Sequence, residues 1–168
     1  MKNIVLTGFM GTGKTEVGRE LSRLLGFTLI DADEEIVKSE GMSINEIFAR
    51  DGEPCFRDIE TKTLKEISKR ENVIVSTGGG AVLREENMAA LRERGIIVWL
   101  TASPETILAR TSNDSLRPLL QVQDPLKKIR ELLEYRMPFY KKADILLDTE
   151  GKSPLQVAGE IIERTGGA

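Results

Sequence analysis

Residues 8–15 read Gly8-Phe9-Met10-Gly11-Thr12-Gly13-Lys14-Thr15, a match to the G-x-x-x-x-G-K-[ST] pattern. No other stretch of the chain restricts the fold as much, because the pattern needs a strand before it and a helix after it. Both flanks comply. Ile4–Thr7 is a strand-like run, and Val17, Leu21, Leu24 and Leu25 form one helical face that Gly26 would close. The glycines let backbone N–H groups turn toward an anion, and the helix N-terminus adds its dipole. Lys14 is placed to reach β- and γ-phosphates, and the Thr15 hydroxyl to ligate Mg²⁺. A glycine-rich turn with an exposed lysine is the plainer reading, and the strand–helix context argues against it. Gly11-Thr12-Gly13 could also begin a dinucleotide G-x-G-x-x-G motif, but position 16 is glutamate, so the pattern fails there. A triphosphate fits better.

The rest of the chain extends the same alternation. Val73–Val75, Ile96–Leu100 and Ile145–Leu147 are apolar runs without polar alternation, as expected of parallel strands covered on both faces; Thr28–Ile30 is a weaker candidate. Helical stretches lie between them. Ser43 with Glu46 has capping-box spacing, and Ser103-Pro104, Asp124-Pro125 and Ser153-Pro154 each put a capping residue before a first-turn proline. Strands alternating with helices predict an α/β domain with a parallel sheet and right-handed crossovers. At 168 residues the chain fits a single domain, 1–168, with one core. Residues 111–123 break the rhythm and read as a long surface loop, which in a compact domain is usually a lid or a disordered segment. The most uniform apolar run, Ile96–Leu100, falls far short of the roughly 20 residues that span a bilayer. With no secretory-type leader after Met1, the expected address is the cytoplasm.

Composition narrows the chemistry. The chain has no histidine, which removes imidazole acid–base catalysis and imidazole metal sites, and its one cysteine, Cys55, allows neither an internal disulfide nor a cysteine-built zinc site. A general base must then be carboxylate, lysine or tyrosine, and any metal a hard, oxygen-bound ion. Residues 31–60 hold ten acids against Lys38, Arg50 and Arg57, a balance of −7, whereas residues 110–142 hold eight bases against four acids, a balance of +4. A basic segment of that kind suits a small polyanion rather than a nucleic acid. Trp99, inside a strand pattern, reads as core, and Lys127, Lys128 and Arg130 as a solvated helix face.

Several short segments, taken in order, resemble shikimate kinase, of the nucleoside-monophosphate-kinase-like P-loop family. They are the loop at Gly8–Thr15, Asp31-Ala32-Asp33, Phe56-Arg57-x-x-Glu60, Ser76-Thr77-Gly78-Gly79-Gly80, Arg110-Thr111 with Arg117-Pro118-Leu119-Leu120, and Arg136-x-Pro138-x-Tyr140. The resemblance covers essentially the whole chain. It implies a five-stranded parallel sheet in the order 2-3-1-4-5, flanked by helices, with a mobile lid at about 111–124 and a substrate-binding segment at about 31–60. It also implies Mg²⁺- and ATP-dependent phosphorylation of the 3-hydroxyl of shikimate, by a monomer that binds neither nucleic acid nor membrane. One position departs from the family. Glu16 stands where Ser or Thr is common; its amide could still serve an α-phosphate, while its carboxylate weakens the local positive potential.

By the same resemblance, ATP meets Gly11, Thr12, Gly13, Lys14, Thr15 and Glu16, with Arg110 and Pro154 flanking adenine and Lys152 nearby. Asp33 binds the acceptor hydroxyls and is the candidate base, and Asp31 acts with Thr15 on the metal. Arg57 and Arg136 hold the substrate carboxylate, a planar group that two guanidinium forks match better than two lysines. Gly78, Gly79 and Gly80 line the substrate pocket, and Arg117 reaches the transferring phosphoryl. Each also has a plainer reading: an acid in a first helical turn for Asp31, a first-turn proline for Pro154, a solvated charge for Arg57 and Arg117, and a flexible turn for the glycines. Another small P-loop kinase, for gluconate or a nucleoside monophosphate, and a noncatalytic nucleotide-binding relative remain the competing readings.

Overall fold

The computed structural model describes residues 2–112 and 122–166. The strands are β1 (Asn3–Thr7), β2 (Thr28–Asp31), β3 (Val73–Ser76), β4 (Gly95–Thr101) and β5 (Ile145–Asp148). They form one parallel sheet in the order β2-β3-β1-β4-β5. The helices are α1 (Lys14–Leu25), α2 (Ala32–Glu40), α3 (Ile44–Ile67), α4 (Glu85–Arg92), α5 (Pro104–Thr111), α6 (Pro125–Tyr140) and α7 (Pro154–Thr165). Every strand and cap read from the sequence is present, with strand ends extended by a residue or two.

Alternation along the strands sorts the core into two halves. Val5, Val73, Val75, Ile97 and Trp99 face α3, α4 and the end of α6, while Ile4, Leu6, Ile74, Val98 and Leu100 face α1 and α7. All ten are buried, and side chains of this size contribute about 1.5–3 kcal/mol each when fully buried. Trp99 belongs to the core as expected, stacked on Tyr140 with ring centroids 5.4 Å apart. Arg130 is tied to Glu105, so it bridges α6 to α5 rather than standing free.

The caps do their local work. Ser43 with Glu46, and Ser153 with Gln156, form reciprocal capping boxes, while Ser103 and Asp124 each accept one first-turn amide. Inside α3, Gly52 has φ 81° and ψ 171°, a conformation other residues avoid, and it breaks the helix just before Glu53 and Pro54. At the edge where the strands begin, Asn3 replaces missing ladder partners. Its side chain donates to Arg70 O at 2.8 Å and accepts from Val73 N at 3.1 Å. Thr111, read from the sequence as the start of the lid, is instead the buried last residue of α5, held by its hydroxyl to Ile107 O at 2.7 Å. Most of the expected lid, with Arg117, lies outside the described residues. Among the described residues no helix is long and apolar enough to cross a membrane.

Candidate active site

Register decides which groups meet at the edge where the strands end. Leu6 and Asp31 both pair with Ser76, and Thr77 ties the end of β3 to β1 by donating its N–H and hydroxyl to Leu6 O at 3.0 and 3.1 Å. The turns after β1, β2 and β3 therefore open into one cleft of about 920 Å³. Such crevices at the carboxyl ends of parallel strands are where open α/β sheets bind ligands.

The β1 turn curls around its own lysine. Lys14 Nζ donates to Gly8 O and Phe9 O at 2.9 and 3.0 Å, and Thr12 is buried with its hydroxyl on Phe9 O at 2.8 Å. Gly13, at φ 89°, caps α1 without a side chain, which leaves the first-turn amides open to an anion. Gly11 presses against α5, where an added Cβ would come within 2.8 Å of Thr111 Cγ2. Arg110 clamps the same turn, donating to Gly11 O at 3.2 Å and to Thr149 Oγ1 at 3.3 Å. Gly11, Gly13, Lys14, Thr15, Glu16 and Arg110 all line the cleft. Glu16 is turned onto Arg19 in an exposed ion pair. Lys152 and Pro154 do not line it: Lys152 is paired with Glu160 at 2.7 Å, and Pro154 opens α7.

Asp31 divides its carboxylate between two tasks. Oδ1 caps α2, accepting from Asp33 N at 3.0 Å and Glu34 N at 3.4 Å, and Oδ2 lies 3.5 Å from Thr15 Oγ1. The helix-cap reading and the metal reading of Asp31 are thus compatible in one side chain. Hydroxyl and carboxylate oxygens are the hard donors Mg²⁺ takes, with phosphate and water completing its shell. Among the described residues no group of three or more acidic, cysteine or histidine side chains could hold a metal by itself.

The glycine turn after β3 is the floor on which the charged side chains converge. An added Cβ would lie 3.0 Å from Asp33 Oδ1 at Gly78, 3.1 Å from Arg136 Nη1 at Gly79, and 2.7 Å from Arg57 Cζ at Gly80. Close approach, not flexibility, is the reason for three glycines here. Arg57 is no solvated charge: its side chain is 13% exposed and donates from Nη1 to Glu60 Oε2 at 2.7 Å. Arg136 is buried with its guanidinium 5.4 Å from the Phe9 ring centroid, and its Nε has no partner among the described residues.

Glu60, Tyr140 and Phe9 complete this floor without having been singled out as site residues. Burial pushes the Glu60 carboxyl above the ordinary glutamate range, against the pull of Arg57 and with the push of Asp33. Glu60 and Glu53 hold Arg57 protonated although burial alone would favour the neutral form. Tyr140 donates its hydroxyl to Gly79 O at 2.6 Å, fixing the turn from α6. Spacing was the available signal: Glu60 follows Arg57 by three and Tyr140 follows Arg136 by four, each on one helix face. Cys55 stays half-buried and unbridged.

Comparison with known proteins identifies the family and the fold. A family model described as shikimate kinase matches residues 10–165. A shikimate kinase of Thermodesulfovibrio yellowstonii is 52% identical over 97% of this chain and 94% of its own length, and one of Caldicellulosiruptor bescii is 50% identical over 96% and 94%. Among solved structures, shikimate kinase from Acinetobacter baumannii in complex with shikimate superposes with a TM-score of 0.94 at 41% identity, covering 98% of this chain and 93% of that one. Shikimate kinase from Aquifex aeolicus superposes with a TM-score of 0.82, also at 41% identity, over 98% and 96%.

Proposed function

This chain belongs to the shikimate kinase family, and we propose that it moves the γ-phosphoryl group of ATP to the 3-hydroxyl of shikimate. The observation that carries the acceptor assignment is the glycine floor. The buried Arg136, the half-buried Arg57 and the Asp33 carboxylate meet Gly78–Gly80 beside a phosphate-binding turn. A carboxylated polyol satisfies that set, its acid on Arg57 and Arg136 and its hydroxyls on Asp33. Gluconate and nucleoside monophosphates also carry an anion for these arginines, and the family match over residues 10–165 favours shikimate over them.

In the proposed reaction the acceptor oxygen attacks the γ-phosphorus as the bond from that phosphorus to the β–γ bridging oxygen breaks. The bond's electron pair leaves with ADP. Asp33 orients the attacking hydroxyl and accepts its proton. The first-turn amides of α1 and Lys14 hold the β- and γ-phosphates in line, so the barrier is lowered mainly by positioning and charge stabilisation. Thr15 and Asp31 would hold Mg²⁺, which when bound supplies positive charge to the phosphate oxygens. Arg117, assigned from the sequence alone, adds charge at the transferring group.

An ADP-release assay offering shikimate, gluconate and nucleoside monophosphates in turn tests this reading. Turnover is expected with shikimate and not with the others. Preferential turnover of gluconate or a nucleotide would reassign the acceptor.

A further inference from the structure

Arg57 serves two acids of its own chain, and they hold it differently. Nη1 donates to Glu60 Oε2 at 2.7 Å, and the Glu60 side chain is 1% exposed. Nε and Nη2 both donate to a single oxygen of Glu53, at 3.4 and 3.2 Å, and the Glu53 side chain is 59% exposed. The first contact is short and buried. The second is long, bifurcated and open to water.

The Nε–Nη2 edge of a guanidinium is a fork that can meet a carboxylate with two parallel bonds. Glu53 covers that edge. We propose that Glu53 is an internal competitor for the substrate's carboxylate: it stands on the fork of Arg57, yields it when an acid substrate binds, and thereby tunes the affinity of the site for that acid. The inference rests on the reading that Arg57 grips the substrate carboxylate.

Local structure makes Glu53 the acid that gives way. The break at Gly52 leaves it in the first turn of the helical segment that continues to Ile67. There a carboxylate is favoured by the helix dipole even without a side-chain partner. Its exposure keeps it hydrated once it lets go. Glu60 has neither refuge, being buried with Oε1 unpartnered among the described residues.

An orienting role for Glu53 predicts the opposite sign from competition, so the two can be separated by titration. Shikimate binding is measured calorimetrically for wild type, Glu53→Gln, Glu53→Ala, Arg57→Ala and the Glu53→Gln/Arg57→Ala double variant, with ATP titrated separately. An exposed ion pair of this kind is worth up to about 1 kcal/mol, so both Glu53 variants should bind shikimate about two- to fivefold more tightly. The gain should vanish when Arg57 is alanine, and ATP affinity should not follow it. Unchanged or weaker shikimate binding by folded Glu53 variants overturns the competitor role while leaving the Arg57 reading intact. Unchanged binding by Arg57→Ala overturns both.

Discussion

Gly80 and Arg57 share one volume: a Cβ on Gly80 would lie 2.7 Å from Arg57 Cζ, inside van der Waals contact. Gly80→Ala must therefore move the guanidinium or the turn. Tightness for shikimate is expected to fall at least about tenfold, the equivalent of one charge-assisted hydrogen bond, with ATP affinity close to wild type. Equal losses for both ligands would point to a collapsed turn instead.

Lys14→Ala should leave a folded protein with turnover lowered by about 10²–10³-fold, the usual scale for removing a donor aimed at developing charge. The structure adds a second consequence. Lys14 also holds Gly8 O and Phe9 O, so the variant's thermal midpoint should drop modestly. Near-normal turnover in a folded variant would reject the phosphate-site assignment.

Asp33→Asn keeps the size of the side chain and removes its charge and its capacity as a base. Steady-state kinetics should show kcat with shikimate down by about 10²–10⁴-fold, with a much smaller change in the ATP dissociation constant. If kcat holds, Asp33 neither accepts the proton nor orients the hydroxyl.

Arg57→Lys is expected to weaken shikimate binding roughly 10- to 150-fold, because an ammonium cannot reproduce the planar two-donor fork. Arg57→Ala combined with Arg136→Ala should cost less than the two single changes added together, since both serve one anion. A wild-type enzyme should also discriminate against a neutral amide analogue more strongly than Arg57→Ala does. Equal discrimination would free Arg57 from the carboxylate.

Glu60 carries a pH signature. Its carboxyl is raised in the folded state, chiefly by burial. A raised group contributes stability that is complete below its unfolded value, about 4.3, and is lost as pH rises through the folded value. Glu60→Gln does not titrate. The unfolding free energy of wild type minus that of Glu60→Gln should therefore fall as pH rises from about 4 toward 7, measured by urea melts. A difference that grows over this range would mean that Arg57 outweighs burial.

What could be read in the sequence was what neighbouring residues decide together. The Gly8–Thr15 turn, the Ser43–Glu46 cap and the apolar strands are short-range patterns, and each is where it was expected. Asp33, Arg57 and Arg136 were legible only through resemblance, because β2, α3 and α6 must fold onto one glycine turn before their charges meet. Thr111 was misread as loop because its hydroxyl hides in the helix and its methyl packs under Gly11. The break at Gly52 and the burial of Glu60 were missed for a related reason. Gly52 looks like any glycine among polar neighbours, and the burial of Glu60 depends on the whole assembled floor.

Asn3 lies at the far end of the same strand that feeds the phosphate turn. Its amide satisfies one carbonyl and one N–H where β1 and β3 begin, and losing it would leave the buried Val73 N–H unpaired, a cost of about 1–3 kcal/mol. Asn3 thus fastens the sheet at the end opposite the cleft, where none of the described site residues lies. For protein engineering, this gives the molecule a map of tolerance. Libraries aimed at the charged side chains of the cleft, with the close-packed glycines of its turns left in place, can vary acceptor preference without touching this fastening. The same diversity at Asn3 and the buried Val73 would lower stability instead.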